Sequence, residues 1–212
     1  NNINDNLNNN KYGWIFAVKN PQNYLLGFLT NFLSAPIMIL GSLWGGSYLT
    51  ETKLLTTHEA QLCCSLLFFG MIIGSPFFGW ISDKLKSRKT PIYYGIIGAI
   101  CTSVFIINDS YNTPVLMPIL FFLLGFFIAC QVITYAIIIE ANPPEYCAFS
   151  ESIASTIIMS SGAIFQPLFG YILTHGLFID NINQHHYYGQ AMLIFPVTLT
   201  LCFLITLYIK KY

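Results

Sequence analysis

Six long stretches of this sequence contain no Asp, Glu, Lys or Arg, and each of them is 19 residues or longer. A transmembrane helix needs about 20 consecutive, mostly apolar residues, so each stretch is long enough to cross a bilayer. Residues 119–124 read Ile-Leu-Phe-Phe-Leu-Leu, without the alternation of a membrane β-barrel strand. The stretches therefore predict an all-α membrane protein with six transmembrane helices, which we call spans 1 to 6. Their expected bounds are residues 24–49, 60–82, 91–108, 114–140, 149–175 and 189–209.

Charged residues are rare throughout the chain. Asp, Glu, Lys and Arg make up 8% of the 212 residues, against about 25% in a soluble domain. The nine acidic and nine basic residues cancel, so the chain offers no basic surface that would attract nucleic acid. We therefore expect the lipid bilayer to surround this protein and nucleic acid not to be a partner.

The Lys and Arg residues are distributed unevenly over the predicted loops. Eight of the nine lie before span 1, between spans 2 and 3, or after span 6, and Lys53 alone lies on the opposite side. Loops rich in Lys and Arg stay in the cytoplasm. We therefore expect a multi-pass protein of the plasma (inner) membrane, with both termini of this segment in the cytoplasm.

The chain begins with a polar segment. Seven of its first ten residues are Asn, a composition that cannot form a core. This predicts a polar cytoplasmic linker over residues 1–19, followed by a six-helix transmembrane half over residues 20–212. A linker that leads into six spans suggests one half of a longer membrane protein, although an N-terminal cut made for other reasons would look the same.

Nothing in the sequence indicates an enzyme, a metal site or a cofactor. The six Cys residues form no Cys-x-x-Cys pair, and no His and Cys spacing suggests zinc ligands. Residues 159–162 read Met-Ser-Ser-Gly and lack the first glycine of the Gly-x-Ser-Gly motif that a rhomboid-type protease needs. We therefore predict no catalytic residues, and a six-span membrane sensor or scaffold is one alternative that remains.

The end of span 2 carries the most informative motif. Residues 79–88 read Gly-Trp-Ile-Ser-Asp-Lys-Leu-Lys-Ser-Arg, where a helix rich in small residues leads into a basic loop. A cytoplasmic loop explains the basic residues but not the Gly-x-x-x-Asp spacing. An Asp at this place can accept hydrogen bonds from the N-terminus of a neighbouring helix, where the dipole favours an anion.

This segment resembles the loop motif of the major facilitator superfamily, written Gly-x-Leu-x-Asp-Arg-x-Gly-Arg-Arg. Gly79, Asp83, Lys84 and Arg88 match it, whereas Lys86 stands where the family has Gly. Members of this family have twelve helices in two halves that are joined by a polar cytoplasmic linker. The resemblance implies that this chain is the C-terminal half and that an N-terminal six-helix half of the same protein is its partner.

The resemblance also implies a cytoplasmic gate. In the family, an acid at the end of span 4 can pair with the motif Arg and lock one conformation, so we expect Glu140 to pair with Arg88. Asp83 is expected at the N-terminal end of span 5. Pro167 opens a backbone hydrogen bond in span 5, either as a moving hinge or as a fixed kink. The predicted gating residues are Gly79, Asp83, Lys84, Arg88, Glu140 and Pro167. A simple interfacial role for Glu140 remains the alternative.

Substrate in this family binds near the bilayer midplane, in a cavity that the first and fourth helices of each half line. The expected substrate-binding residues are Asn31, Trp44, Gln131, Thr134 and Tyr135, which are polar or amphipathic residues of spans 1 and 4. Gln131 and Tyr135 are four residues apart and share a helix face. Hydrogen bonding between helices is the alternative for the polar candidates, and an aromatic belt is the alternative for Trp44.

The function that the resemblance implies is secondary active transport of a small solute by alternating access. No Asp, Glu, Lys or Arg lies in the middle of a span, so a neutral or zwitterionic nutrient or metabolite, such as an amino acid-like solute, fits best. A carboxylate for a coupling proton, as symport would require, must then lie in the other half.

Overall fold

A computed structural model of the protein describes residues 13–108, 114–175 and 184–209, and it confirms the predicted all-α membrane fold. Six helices are long and apolar enough to cross a bilayer, and no strand occurs in these three ranges. The spans run over Pro21–Glu51, Thr57–Leu85, Lys89–Ile107, Leu116–Glu140, Pro144–His175 and Tyr187–Tyr208. Both termini, including residues 1–12 of the predicted linker, lie outside the described residues.

Capping side chains set where the first two spans begin. Asn20 accepts a hydrogen bond from the backbone N–H of Gln22 at 3.1 Å, and Pro21 occupies the first turn. Thr56 and Glu59 form a capping box at the start of span 2. The two spans therefore begin at residues 21 and 57, three residues before the expected positions of 24 and 60, because hydropathy does not register a polar first turn.

Two spans contain non-α segments near their middle. In span 1, an α-helix over Pro21–Pro36 is followed by a π-helix over Ile37–Trp44 and a second α-helix over Gly45–Glu51. Pro36 has no N–H to donate to the preceding turn, which interrupts the α-helical ladder where the π-helix begins. In span 4, a 3₁₀ turn over Ala129–Gln131 separates two α-helices. Irregular segments of this kind occur often at functional sites.

Spans 2 and 4 cross at very close range. A Cβ added to Gly125 of span 4 would lie 1.9 Å from the carbonyl oxygen of Leu67 in span 2. A Cβ on Gly70 of span 2 would lie 2.1 Å from the carbonyl oxygen of Phe122. Small residues at a membrane helix interface let the two backbones approach in this way. Spans 2 and 4 are therefore packed backbone to backbone.

The spans differ in how far the bundle encloses them. In span 1, 67% of the most apolar window is buried, against 28% in spans 2 and 5. The exposed side chains of spans 3 and 6 are mostly large and apolar, and they include Ile97, Val104, Phe105, Val197, Leu201 and Leu204. Spans 2 and 5 thus leave the most surface open.

A short helix precedes span 1. Residues 13–19 are helical and are followed by Asn20 alone before span 1 begins. We call this segment the leading helix, and we call the end of the bundle that holds the loop between spans 2 and 3 the inner end. The leading helix lies within residues 1–19, the part of the chain predicted as a polar cytoplasmic linker.

Candidate functional site

Arg88 joins three side chains at the inner end of the bundle. Its Nη2 lies 2.6 Å from Oε1 of Glu140, and its Nε donates to both oxygens of that carboxylate at 3.1 and 3.3 Å. Its Nη1 lies 2.6 Å from Oδ1 of Asp83 and donates to Oγ of Ser82 at 3.0 Å. The hydrogen bonds to Glu140 raise the pKa of Arg88, and the hydrogen bond to Asp83 adds to the effect. The loop after span 2 is thereby tied to the end of span 4, with the partner expected for Arg88.

The partner of Asp83 differs from the expected one. Its carboxylate accepts a hydrogen bond from Arg88, and its side chain is 71% exposed, instead of capping the N-terminal end of span 5. The local backbone explains this contact. Lys86 ends span 2 in the left-handed conformation, with φ of 47°, and its N–H donates to the carbonyl of Asp83. The chain turns back there, so Arg88 returns over the last turn of the helix.

The other three predicted gating residues lie apart from this cluster. A Cβ added to Gly79 would meet no atom of the described residues within 4 Å, so none of them requires a glycine there. The Lys84 ammonium lies 4.7 Å from the ring centroid of Trp80, a cation–π distance. Pro167 is exposed, and the helix of span 5 continues through it from Cys147 to His175.

Three of the five predicted substrate-binding residues are buried in hydrogen bonds between spans. Asn31 donates to the carbonyl of Ile157 at 2.5 Å and to Oγ of Ser160 at 3.2 Å, which links span 1 to span 5. The hydroxyl of Thr134 lies 2.5 Å from that of Thr30, and Ser34 donates to Oε1 of Gln131 at 2.8 Å. The last two contacts link span 1 to span 4. These polar groups satisfy one another inside the half.

Tyr135 and Trp44 are the more accessible candidates. Tyr135 is half-buried in span 4, four residues after the buried Gln131. Trp44 ends the π-helix and packs against Phe169, with ring centroids 5.7 Å apart. Its indole nitrogen is buried and has no hydrogen-bond partner in the part of the chain that the structure describes. The Trp44 ring therefore packs against span 5.

A network of asparagines at the inner end was not foreseen from the sequence. The side-chain N–H groups of Asn142 donate to Oδ1 of Asn23 at 2.8 Å, and Oδ1 of Asn142 accepts from Asn20 at 2.9 Å. Asn23 in turn donates to the carbonyl of Ala17 at 3.0 Å. The start of span 1 is thus bonded to the residues that follow Glu140. The only signal in the sequence was an Asn two residues after Glu140, which is too common at helix ends to stand out.

The profile of the family described as the Major Facilitator Superfamily matches residues 23–211 of this chain. The chain belongs to the major facilitator superfamily. The match begins just inside span 1 and continues past the end of span 6, so it takes in all the spans.

Two curated relatives of this superfamily chain are described as probable hexose phosphate transport proteins. They come from Chlamydia muridarum and Chlamydia trachomatis serovar D, and each is 32% identical over 74 residues. The aligned segment covers 35% of the chain but only 16% of each relative. The likeness therefore concerns a limited part of a longer protein.

The superfamily chain also has an open groove between spans 1 and 2, away from the inner end. Its volume is about 540 Å³. Its polar lining consists of Ser42, Gln61, Cys64 and Ser65, and Phe68 adds an aromatic ring. On the other flank of span 1, the side chain of Gln166 donates to the carbonyl of Met38 and to Oγ of Ser42, each at 2.9 Å. Span 5 thereby fixes the π-helical part of span 1 next to the groove.

Proposed function

We propose that this chain is the C-terminal six-helix half of a secondary active transporter that moves a small polar solute by alternating access. The match of the superfamily profile over residues 23–211 carries this proposal. In this mechanism, two halves rock about a central site so that the site opens to one side of the membrane at a time. The protein acts without chemical change to its solute.

A second half is supported by the polar surface of span 5. Glu151, Ser152 and Thr156 are exposed on its inner half, whereas spans 3 and 6 expose mainly apolar side chains. Ser152 and Thr156 turn their hydroxyls back to carbonyls of their own helix, at 2.7 and 2.8 Å. Carboxylates and hydroxyls are unfavourable against lipid chains. We propose that this face meets the N-terminal half or an aqueous path between the halves.

The solute is proposed to bind between the two halves, against spans 1 and 4. Tyr135 and Trp44 provide accessible aromatic surface, while Asn31, Gln131 and Thr134 fix the backbones behind them. In this proposal, the buried amides and hydroxyl shape the site, and they contact solute only where a bond between spans is exchanged for one to the solute. Neutral polar groups of this kind suit an uncharged portion of a solute.

The curated relatives favour a sugar-like solute. A hexose phosphate carries an anionic group that Lys or Arg would recognise. This chain has no Lys or Arg in the middle of a span. If the solute is phosphorylated, we propose that the N-terminal half supplies the cations and that this half contacts the sugar. The N-terminal half would also supply a carboxylate for a coupling proton.

The inner end is proposed to act as the cytoplasmic gate of a transporter in the plasma (inner) membrane. The ion pairs of Arg88 with Glu140 and Asp83 hold spans 2, 3 and 4 together on that side, which favours the outward-facing state. Lys84, Gly79 and Pro167 are assigned to the same movement, with Gly79 leaving room for a helix of the other half. This orientation places both termini of the segment in the cytoplasm.

Uptake into proteoliposomes tests the proposal. The full-length protein is reconstituted and offered a radiolabelled hexose phosphate, the free hexose and a neutral amino acid. Saturable uptake of any of them supports transport, and this 212-residue chain alone should show none because it lacks half of the site. If no solute of this panel or a wider one is taken up, a six-span sensor or scaffold becomes the better description.

A further inference from the structure

The leading helix is apolar on every side, unlike a helix that runs through water. Residues 14–18 read Trp-Ile-Phe-Ala-Val, and Lys19 is the first charged residue after them. Trp14, Ile15, Phe16 and Val18 are each between 40% and 51% exposed. A helix that is hydrophobic all round is normally buried in protein or in a membrane. Its exposed half therefore needs a cover that the six spans do not provide.

The bundle holds the leading helix in a fixed place. Trp14 packs against Phe149, with ring centroids 5.9 Å apart, and Phe16 packs against Tyr146 at 5.5 Å. Both partners lie at the start of span 5. The carbonyl of Ala17 also accepts the hydrogen bond from Asn23 of span 1. The leading helix is thus attached to the first turns of spans 1 and 5, at the inner end of the bundle.

Exposed aromatic residues mark the same level around the rest of the bundle. Trp80 is near the inner end of span 2, Tyr94 near that of span 3 and Tyr208 near that of span 6. Their exposed fractions are 59%, 67% and 75%. Trp and Tyr collect in this way where a membrane meets water. Trp14 continues this belt beside span 5.

We infer that the leading helix lies in the headgroup region of the bilayer and that its exposed apolar side chains are covered by lipid. Lys19, which is exposed at its end, reaches the headgroups and suits an anionic leaflet. The helix anchors the segment before span 1 to the membrane surface. This inference stands independently of transport, since it concerns only how the chain meets lipid.

Fluorescence quenching by brominated lipids tests this placement. The full-length protein and its Trp14→Phe variant are reconstituted in phosphatidylcholine and phosphatidylglycerol vesicles, and the difference between their emission spectra isolates Trp14. The matched control is the difference between the emission spectra of the wild type and the Trp80→Phe variant, which isolates Trp80 on a membrane-spanning helix. We expect lipids brominated near the headgroup to quench the Trp14 signal at least as strongly as the Trp80 signal. Lipids brominated near the end of the acyl chain should quench the Trp14 signal less than the headgroup-brominated lipids do.

The opposite result would overturn the inference. If brominated lipids quench Trp80 but leave Trp14 unchanged, lipid does not cover the leading helix. Acrylamide then separates the two remaining cases, because it quenches a residue in water and spares one covered by the other half of the protein. A Val18→Trp variant, compared with the wild type, places a second reporter on the exposed side. It gives the same readout should Trp14→Phe fail to fold.

Discussion

Arg88 forms ion pairs with two carboxylates through one guanidinium, and the geometry differs for the two. Glu140 accepts three of its hydrogen bonds, two from Nε and one from Nη2, whereas Asp83 accepts one. The forked hydrogen bonds between a guanidinium and a carboxylate fix the relative orientation of the two side chains as well as pairing their charges. The contact with Glu140 therefore determines where the loop after span 2 sits against span 4.

Glu140→Gln should loosen the inner end without changing its shape. An exposed ion pair of good geometry is worth up to about 1 kcal/mol, so we expect roughly a fivefold shift toward the open gate. Cys147 reports on it, since its thiol donates to the carbonyl of Pro143 in the loop after span 4. Its alkylation rate, followed by peptide mass spectrometry, should rise by a similar factor. The control is Glu145→Gln in the first turn of span 5, and equal rates in the two variants would contradict the gate.

Lys86 occupies a backbone conformation that favours glycine, and glycine is the residue that the family motif has there. The left-handed conformation costs a non-glycine residue roughly 1–2 kcal/mol, of which the greater flexibility of glycine offsets about 0.5–1 kcal/mol. Lys86→Gly should therefore raise the unfolding free energy by about 0.5–1 kcal/mol. Thermal unfolding in detergent measures it against Lys86→Ala, which removes the same side chain. A glycine variant no more stable than the alanine variant would refute this account.

Asn142 connects two elements that are far apart in the sequence. Removing its amide in Asn142→Ala leaves Asn23, which is fully buried, without its donor. An unsatisfied buried polar group costs about 1–3 kcal/mol, so we expect a loss of stability of that size. Hydrogen exchange at the start of span 1 should increase with it. Asn20→Ser is the control, since it gives up the bond to Asn142 but keeps an oxygen for the helix cap. A loss in the control as large as in Asn142→Ala would point to the cap instead.

The crossing of spans 2 and 4 predicts a contrast between two glycines. Gly125→Ala forces the backbone of Leu67 away, and overpacking of this kind costs about 1–3 kcal/mol. Gly79→Ala meets no atom of the described residues within 4 Å and removes the flexibility of a glycine inside a helix, so it should raise stability by about 0.5–1 kcal/mol. Thermal unfolding of both variants measures the difference. Equal losses of stability in the two variants would show that the close crossing does not determine the stability of this half. Loss of transport in a Gly79→Ala variant that remains stable would support contact of Gly79 with the other half.

The elements were largely predictable from the sequence, whereas most of the contacts between them were not. Hydropathy identifies all six spans because a helix that crosses a bilayer needs a long run of apolar residues. It does not find the π-helix after Pro36, which depends on local backbone bonding, or the caps at Asn20 and Thr56. Charge and motif indicated Arg88 and Glu140. For Asn31 the residue type suited both a cavity and a bond between spans, and only its neighbours in space place it against span 5.

The whole molecule presents different surfaces to different surroundings. Spans 3 and 6 expose apolar residues that suit lipid, and span 5 exposes a polar face toward the inner end. A large residue should therefore be tolerated on one surface and not on the other. This contrast concerns how the proposed halves fit together.

Thr156→Trp, on the exposed face of span 5, should disturb contact with the other half and reduce uptake several-fold. Val197→Trp, on span 6, should leave uptake nearly unchanged, because Val197 is 58% exposed among apolar neighbours and lipid can yield. Uptake by the full-length protein, with expression and thermal stability measured alongside, checks the pair. Equal effects of the two variants would argue that span 5 faces lipid.

The π-helix of span 1 also has a consequence for how this sequence tolerates insertions and deletions. Bonds from residue i to i+5 accommodate one residue more per turn than those of an α-helix. Deleting one residue between 37 and 44 should let the segment return to α-helix, and the residues beyond it would keep their orientation because the π-helix already absorbs the extra residue. If the undeleted segment became α-helical instead, everything beyond it would turn by about 100°. Trp44 would then leave Phe169, and Tyr48 would lose its hydrogen bond to Ile106. The π-helix thus lets span 1 hold one additional residue without changing the angular position of its outer third.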